Sequence, residues 1–264
     1  MPTFQRNGFA TYYEESGSGE PIVFIVGLSG DLQVWRFQVA ELSKTHRVIT
    51  YDNRGAGRTS APDEPYSISQ MADDLTGLLD HLEIPVTHLV GWSMGGLVAQ
   101  RFTLANPERV RKLMLLGTFG APDGYLREGV LCWANMRRST MTYEQTVRYV
   151  AHLLFSHKLA RNQKAYEAFV GVMVNNPYRQ KDHAFFRQVE ASLDYTAPPS
   201  LAALGGQRTT VLVGEHDYLT PRYLSEELVA EIPGAAMRVL PGAHAGFVEF
   251  PDAYNQAIRE ITAS

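Results

Sequence analysis

Short runs of apolar residues, rich in Val, Ile and Leu, recur along the chain between longer stretches of mixed polarity. Runs of this length and composition are typical of strands buried on both faces of a parallel sheet. Six of them predict the main strands, at 22–26, 47–51, 87–91, 112–116, 210–214 and 237–240. A further piece around 10–14 is expected to form an antiparallel strand ahead of them.

Helical patterns lie between these runs. Ser67 and Gln70 have the spacing of a capping box, and the apolar residues that follow them recur at helical intervals. The segment 94–106 stops before a proline, and the segments 221–231 and 251–261 each begin with one. Alternating strands and helices predict an α/β fold, with a mainly parallel sheet flanked by helices on both faces.

One long stretch interrupts this alternation. From 120 to 198 there is no convincing strand, only helical patterns rich in aromatic residues, and the pair Pro198-Pro199 punctuates its end. An insertion of this kind after the fourth main strand predicts a helical lid. We therefore expect a core formed by 1–119 and 199–264, with the lid at 120–198.

Composition narrows the class of protein. The 264 residues carry a net charge of −4, which gives no electrostatic basis for binding nucleic acid. Cys132 is the only cysteine, so no intrachain disulfide can form. The N-terminal residues lack the apolar run of a signal peptide, and every apolar run is too short to span a bilayer. We expect a cytoplasmic protein that does not bind membranes, either a monomer or a homodimer.

Residues 91–95 read Gly-Trp-Ser-Met-Gly, which matches the pattern Gly-x-Ser-x-Gly. An apolar run precedes the motif and a helical pattern follows it, as a strand–turn–helix nucleophile elbow requires. The sharp turn strains the serine backbone and crowds its neighbours, which explains the flanking glycines. The motif therefore predicts Ser93 as a nucleophile, with the N-terminus of the next helix behind its hydroxyl.

A serine hydroxyl needs a base to take its proton, and in this arrangement the chain order is serine, acid, histidine. Asp217 follows the fifth main strand, and His244 lies on a loop of small residues after the sixth. These positions predict His244 as general base and Asp217 as the acid that orients it. Asp123, soon after the fourth main strand, remains an alternative acid.

The tetrahedral intermediate of such a reaction needs two N–H donors. The residue after the nucleophile, Met94, is expected to supply one from its backbone. The second is expected from Leu28, on the loop that follows the first main strand. Only the backbone of Leu28 matters for this role, so its apolar side chain is compatible with it.

These residues together resemble the α/β-hydrolase superfamily, and within it most closely the 3-oxoadipate enol-lactonases and related small carboxylesterases. The matching stretches are 52–60, 91–96, 106–110 and 212–217. The resemblance implies an α/β-hydrolase fold, with Ser93, Asp217 and His244 as triad and Leu28 and Met94 at the oxyanion hole. One departure is Val26-Gly27, where most members of the superfamily have His-Gly.

The predicted reaction is hydrolysis of a small to medium carboxylic ester or lactone through an acyl-enzyme. Two alternatives remain: hydrolysis of a C–C bond in a diketone-like substrate, and a small-molecule receptor that retains the triad. No cofactor is implied, and no metal either, because 215–217 are contiguous and cannot converge on one ion.

Three lid residues are candidates for substrate binding. Trp133 and Met136 could present apolar surface to the active site. Arg137 could pair with the spectator carboxylate of a dicarboxylate lactone, as could its neighbour Arg138. Adjacent helical residues point about 100° apart, so at most one of the two arginines is expected to face inward.

Overall fold

The computed structural model describes residues 2–196 and 201–264. Within them eight strands form one sheet: β1 (Thr3–Arg6), β2 (Phe9–Ser16), β3 (Glu20–Ile25), β4 (His46–Tyr51), β5 (Thr87–Trp92), β6 (Val110–Leu116), β7 (Thr209–Gly214) and β8 (Ala236–Leu240). Their order is β1-β2-β4-β3-β5-β6-β7-β8. β2 is antiparallel to both of its neighbours, and β3 to β8 are mutually parallel. The predicted, mainly parallel sheet is confirmed, and 10–14 lies inside β2.

The helices that the structure describes are α1 (Arg36–Leu42), α2 (Ile68–His81), α3 (Met94–Ala105), α4 (Gly124–Arg138), α5 (Tyr143–Leu154), α6 (His157–Ala160), α7 (Gln163–Val174), α8 (Asp182–Leu193), α9 (Arg222–Glu231), α10 (Gly246–Glu249) and α11 (Pro251–Thr262). The predicted cap of α2 is present, because the Ser67 hydroxyl accepts a hydrogen bond of 3.1 Å from the Gln70 N–H. α3 ends directly before Asn106 and Pro107, because the residue ahead of proline avoids helical geometry.

Two apolar cores lie on the two faces of the sheet. Along β3, Val23 and Ile25 belong to one core and Ile22 and Phe24 to the other. Successive side chains of a strand point to opposite faces, so both faces of this strand are covered. Residues of α2, α3 and α9 complete the first core, and residues of α1 and α11 complete the second. This double burial explains why the sequence of the central strands is apolar without alternation.

The segment between β6 and β7 contains α4 to α8 and, among its described residues, no strand. We call these five helices and the segments that join them the lid. α8 is the most deeply buried of them: seven of its residues are buried, against two in α4 and one in α7. The predicted limits of the lid stay predictions, and its expected end at 198 lies outside the described residues.

Candidate active site

Ser93 occupies the turn between β5 and α3, with φ of 56° and ψ of −125°. A non-glycine residue in this region carries strain of about 1–3 kcal/mol, which persists only where the surroundings enforce it. Two hydrogen bonds do so here: the Ser93 N–H donates to Leu116 O at 2.9 Å, and the Thr118 hydroxyl donates to Ser93 O at 2.8 Å. Gly95 is needed because a Cβ there would lie 2.3 Å from Ile25 O.

Asp217 and His244 form a buried pair at the ends of β7 and β8. Asp217 Oδ2 lies 2.8 Å from His244 Nδ1. Asp217 Oδ1 accepts hydrogen bonds from the N–H groups of Leu219 at 3.0 Å and Thr220 at 2.8 Å. The Thr220 hydroxyl donates to Oδ2 at 2.8 Å. Four donors therefore surround the carboxylate and fix its plane.

The hydrogen bond with Asp217 determines what His244 can do. Because an ionised carboxylate is only an acceptor, His244 Nδ1 carries the proton and Nε2 keeps its lone pair. The Trp92 indole N–H donates to His244 O at 2.9 Å, and the two rings lie 5.2 Å apart. Gly117, with φ of 49°, leaves room for the pair, since a Cβ there would lie 3.2 Å from His244 Nδ1. The arrangement provides a base with a defined tautomer.

Sequence reasoning missed Thr220, Trp92 and Gly117 as parts of this site. Trp92 is adjacent to Ser93 in the chain and bonded to the loop of His244, so it links the nucleophile turn to the histidine loop. The turn chemistry of 217–220, where an aspartate accepts from the two residues that follow, was a usable signal for Thr220. Gly117 had no comparable signal.

Leu28 lies in a turn beside Ser93. The Gly30 N–H donates to Gly27 O at 3.3 Å, and Ser29 has φ of 64°. A Cβ on Gly27 would lie 2.9 Å from the Ser93 Cβ, so this turn touches the nucleophile. Within 2–196 and 201–264, no acceptor is hydrogen-bonded to the N–H of Leu28 or to that of Met94, the first residue of α3. Both predicted oxyanion donors thus retain their capacity for a ligand oxygen.

The loop after β4 supports the residues around Leu28. The Asn53 side chain donates to Val26 O at 2.7 Å, and the Leu32 N–H donates to Asp52 Oδ1 at 2.8 Å. Asp52 Oδ2 also accepts from the Arg58 N–H at 2.8 Å. Burial raises the pKa of Asp52 to about 6. Part of the 52–60 stretch that carries the family resemblance is therefore bonded to the loop predicted to hold the oxyanion donor, in which Val26-Gly27 replaces the common His-Gly.

Asp123, the alternative acid, is engaged elsewhere. Its Oδ1 accepts the Leu126 N–H at 2.8 Å and so caps α4, while the Tyr223 hydroxyl donates to its Oδ2. His244 Nδ1 already faces Asp217. The structure therefore pairs His244 with the aspartate that sequence order favoured.

The three predicted lid residues have different environments. Trp133 is half-buried, its ring lies 5.1 Å from that of Phe185, and both belong to the apolar cluster that contacts Leu28. Met136 is half-buried but belongs to none of the apolar clusters of the described residues. Trp133 therefore packs against the same apolar cluster as Leu28 of the predicted oxyanion loop.

Arg137 is almost fully buried, with 4% of its side chain exposed. Its guanidinium pairs with Asp182, donates to Gln180 O at 3.2 Å and lies 4.2 Å from the centre of the Phe185 ring. Burial lowers the pKa of this arginine. A substrate carboxylate would compete with Asp182 for the same guanidinium.

The described residues contain His, Cys, Asp and Glu side chains that are potential metal ligands. No cluster of three or more His, Cys, Asp or Glu side chains there has suitable geometry. Cys132 is exposed on α4.

Comparison with known proteins places this arrangement in a family. The model of the α/β-hydrolase fold family matches residues 20–251. The chain is 31% identical to a RutD protein of Azorhizobium caulinodans, named as a proposed carbamate hydrolase, over 98% of this chain and 97% of that protein. It is 27% identical to 3-oxoadipate enol-lactonase 2 of Acinetobacter baylyi, over 91% of this chain and 87% of that protein. The enol-lactonase of Burkholderia xenovorans superposes with a TM-score of 0.88 at 26% identity, covering 100% of both chains.

The chain therefore belongs to the α/β-hydrolase fold family, and it is a hydrolase. The fold and the family resemblance predicted from the sequence are confirmed. Across the described residues, no helix combines the length and apolarity needed to cross a membrane.

Proposed function

We propose that this hydrolase cleaves small to medium, largely apolar carboxylic esters or lactones through an acyl-enzyme on Ser93. The observation that carries the proposal is the buried 2.8 Å hydrogen bond between Asp217 and His244. It lies at the edge of the sheet where Ser93 occupies its strained turn. Open α/β sheets bind their ligands at this carboxyl edge of the strands.

In the acylation step, His244 Nε2 accepts the Ser93 hydroxyl proton while Ser93 Oγ attacks the carbonyl carbon. The carbonyl oxygen becomes an oxyanion, which the N–H groups of Leu28 and Met94 stabilise. Collapse of the intermediate expels the alcohol oxygen, which takes the proton from His244 Nε2. Water then repeats the sequence on the acyl-enzyme and releases the acid. These steps need no metal or organic cofactor.

The apolar surface and the charge pairing of the lid support a largely apolar substrate. Trp133 and Leu28, both half-buried, pack against the apolar cluster of Phe185 and offer apolar surface near the oxyanion loop. Arg137, a buried cation 4.2 Å from the Phe185 ring, is paired with Asp182. The relatives named for carbamate and enol-lactone hydrolysis also act on acyl groups, so neutral carbamates and lactones belong with esters among the candidates.

Labelling tests the nucleophile. A fluorophosphonate should modify Ser93 in the wild type, and Ser93→Ala should lose the label and reduce kcat roughly 10⁴- to 10⁶-fold. Ser69→Ala is the matched control, because Ser69 is exposed on α2 and its hydroxyl makes no hydrogen bond within the described residues. Labelling at another residue, or near wild-type turnover by Ser93→Ala, would refute the proposal.

A substrate panel tests the class. We expect neutral aryl esters and neutral lactones to have higher kcat/KM than a lactone bearing a carboxylate. Arg137→Ala and Arg138→Ala form a matched pair, since Arg137 is buried on Asp182 and Arg138 is exposed on the same helix. A hundredfold preference for the anionic lactone that disappears in Arg137→Ala would replace the apolar class with dicarboxylate lactones.

A further inference from the structure

The lid reaches the oxyanion loop through one fully buried amide, that of Gln188 on α8. Its Oε1 accepts a hydrogen bond of 3.1 Å from the Ser29 N–H, and its Nε2 donates to Arg54 O at 2.8 Å. Both the acceptor and the donor of this amide are therefore hydrogen-bonded. A glutamine side chain suits this pair of contacts, because a carboxylate lacks the donor, and a thioether lacks the donor and has only a weak acceptor.

The Ser29 N–H belongs to the peptide unit that defines the turn. In the turn from Gly27 to Gly30, Ser29 holds the third position with φ of 64°, a conformation that favours glycine over serine. Rotating the peptide unit between Leu28 and Ser29 would relieve this strain and give the turn type that most residues adopt. Such a rotation would break the hydrogen bond to Gln188.

We propose that Gln188 is a positioning residue for the oxyanion hole, an inference that rests on the proposed function. By holding the Leu28–Ser29 peptide unit, Gln188 fixes the residue whose own N–H is the expected oxyanion donor. The turn touches the Ser93 side chain, since a Cβ on Gly27 would lie 2.9 Å from the Ser93 Cβ. The Leu28 N–H belongs to the neighbouring Gly27–Leu28 peptide unit, which shares the Leu28 Cα with the unit that Gln188 holds. Loss of this hold would therefore leave the donor free to shift relative to Ser93.

A second contact between the same elements agrees with this role. Phe185 and Val189, on the same helix as Gln188, belong to the apolar cluster that Leu28 contacts. Residues three and four apart share one face of a helix, so one face of α8 holds both the side chain of Leu28 and the backbone of Ser29. The lid helix thus acts on the catalytic loop directly, in addition to covering it.

Gln180 provides a matched control. It is also a buried lid glutamine whose Nε2 donates to the loop after β4, at Gly55 O and 3.1 Å. It makes no hydrogen bond to the turn at 27–30 among the described residues. Gln188→Met and Gln180→Met therefore each remove one lid-to-core amide of similar burial, and only the first removes the contact with Ser29.

The experiment measures kcat and KM for a neutral aryl ester, with active sites counted by fluorophosphonate titration. It also measures the inhibition constant of an apolar trifluoromethyl ketone, whose carbonyl adds Ser93 Oγ and becomes an oxyanion. Losing an oxyanion donor outright costs roughly 10²–10³ in kcat. For a displaced donor we expect Gln188→Met to lower kcat roughly 10- to 100-fold with KM nearly unchanged. The ketone should bind more weakly by the same factor.

Gln188→Glu tests the acceptor and the donor separately. A carboxylate keeps an acceptor for Ser29 but faces Arg54 O without a donor, so we expect a loss of kcat between those of wild type and Gln188→Met. Gln180→Met should keep kcat and ketone affinity per active site within about threefold of wild type. A role in stability alone would lower the number of active sites and leave both values per site unchanged.

The inference is overturned if Gln188→Met keeps kcat per active site within about threefold. It is equally overturned if kcat falls while ketone affinity holds, or if Gln180→Met shows the same losses. Failure of the proposed function has a different signature, because wild-type protein would then neither hydrolyse the ester nor react with the fluorophosphonate at Ser93.

Discussion

Asp217→Asn is the substitution whose effect on the proposed catalytic base can be worked out most fully from the structure. The oxygen of the new amide must occupy the Oδ1 position, because the N–H groups of Leu219 and Thr220 point at it from 3.0 and 2.8 Å. Its NH₂ group then takes the Oδ2 position, 2.8 Å from His244 Nδ1. Two donors cannot face each other, so His244 must move its proton from Nδ1 to Nε2.

In this variant, His244 Nε2 already carries a proton, although it is the nitrogen that should accept the Ser93 proton. With the proton on Nε2, His244 cannot take the proton of Ser93, and we expect kcat to fall roughly 10⁴-fold. This corresponds to about 5 kcal/mol of lost transition-state stabilisation. Folding should be preserved, because the Thr220 hydroxyl can turn from donor to acceptor towards the new amide.

The assay is turnover of a neutral aryl ester, with circular dichroism and thermal unfolding to verify the fold. Asp123→Asn is the control: Asp123 caps α4, and asparagine caps helices as well as aspartate does. We expect this variant to stay within about twofold of wild type. A loss below tenfold in Asp217→Asn, or a larger loss in Asp123→Asn, would refute the assignment of the acid.

Three further outcomes are expected. Thr220→Val removes one donor from the buried Asp217 carboxylate and should lower the free energy of unfolding by about 1–3 kcal/mol in urea titrations; an unchanged midpoint contradicts this. Burial raises the pKa of Asp52 from 3.8 to about 6, so the folded chain gains a proton there between about pH 4 and 6. Asp52 therefore makes the free energy of unfolding rise as the pH falls through that window, by up to about 3 kcal/mol. Urea titrations at pH 4 and 7 should show this increment in the wild type and not in Asp52→Asn. An identical pH dependence in both proteins contradicts the prediction. Trp133→Ala should raise KM for bulky aryl esters more than for small ones, and equal constants across the series would exclude Trp133 from the pocket.

The places in the fold of the three proposed catalytic residues were predictable because each one follows an apolar strand. Ser93, Asp217 and His244 come after β5, β7 and β8, and the carboxyl ends of parallel strands share one edge of the sheet. β1 was not predicted, since Thr3–Arg6 is mostly exposed and polar and gains its structure only by pairing with β2.

Partners that are distant along the chain were beyond sequence reasoning. Gln188 lies 159 positions from Ser29, within a helix whose pattern of polar and apolar residues is ordinary. Arg137 was predicted as a cation facing the substrate because its type and location suit that role. Its pairing with Asp182 depends on how α4 packs against α8, which no local pattern encodes.

Two lid helices, α8 and α4, differ in their contacts with the rest of the protein. We therefore expect substitutions on the two helices to affect substrate range differently. α8 buries seven of its twelve residues, bonds the Ser29 N–H through Gln188, and contributes Phe185 and Val189 to the apolar cluster against which Leu28 packs. α4 buries only two of its fifteen residues and carries Trp133, which borders the same apolar cluster. Under the proposed function, the oxyanion loop serves the carbonyl group that every ester and lactone shares, whereas the lid surface meets the acyl or alcohol group that differs between them. Substitutions on α4 can therefore change which substrate fits while the transition state stays supported. Substitutions on the buried face of α8 change the machinery for all substrates together.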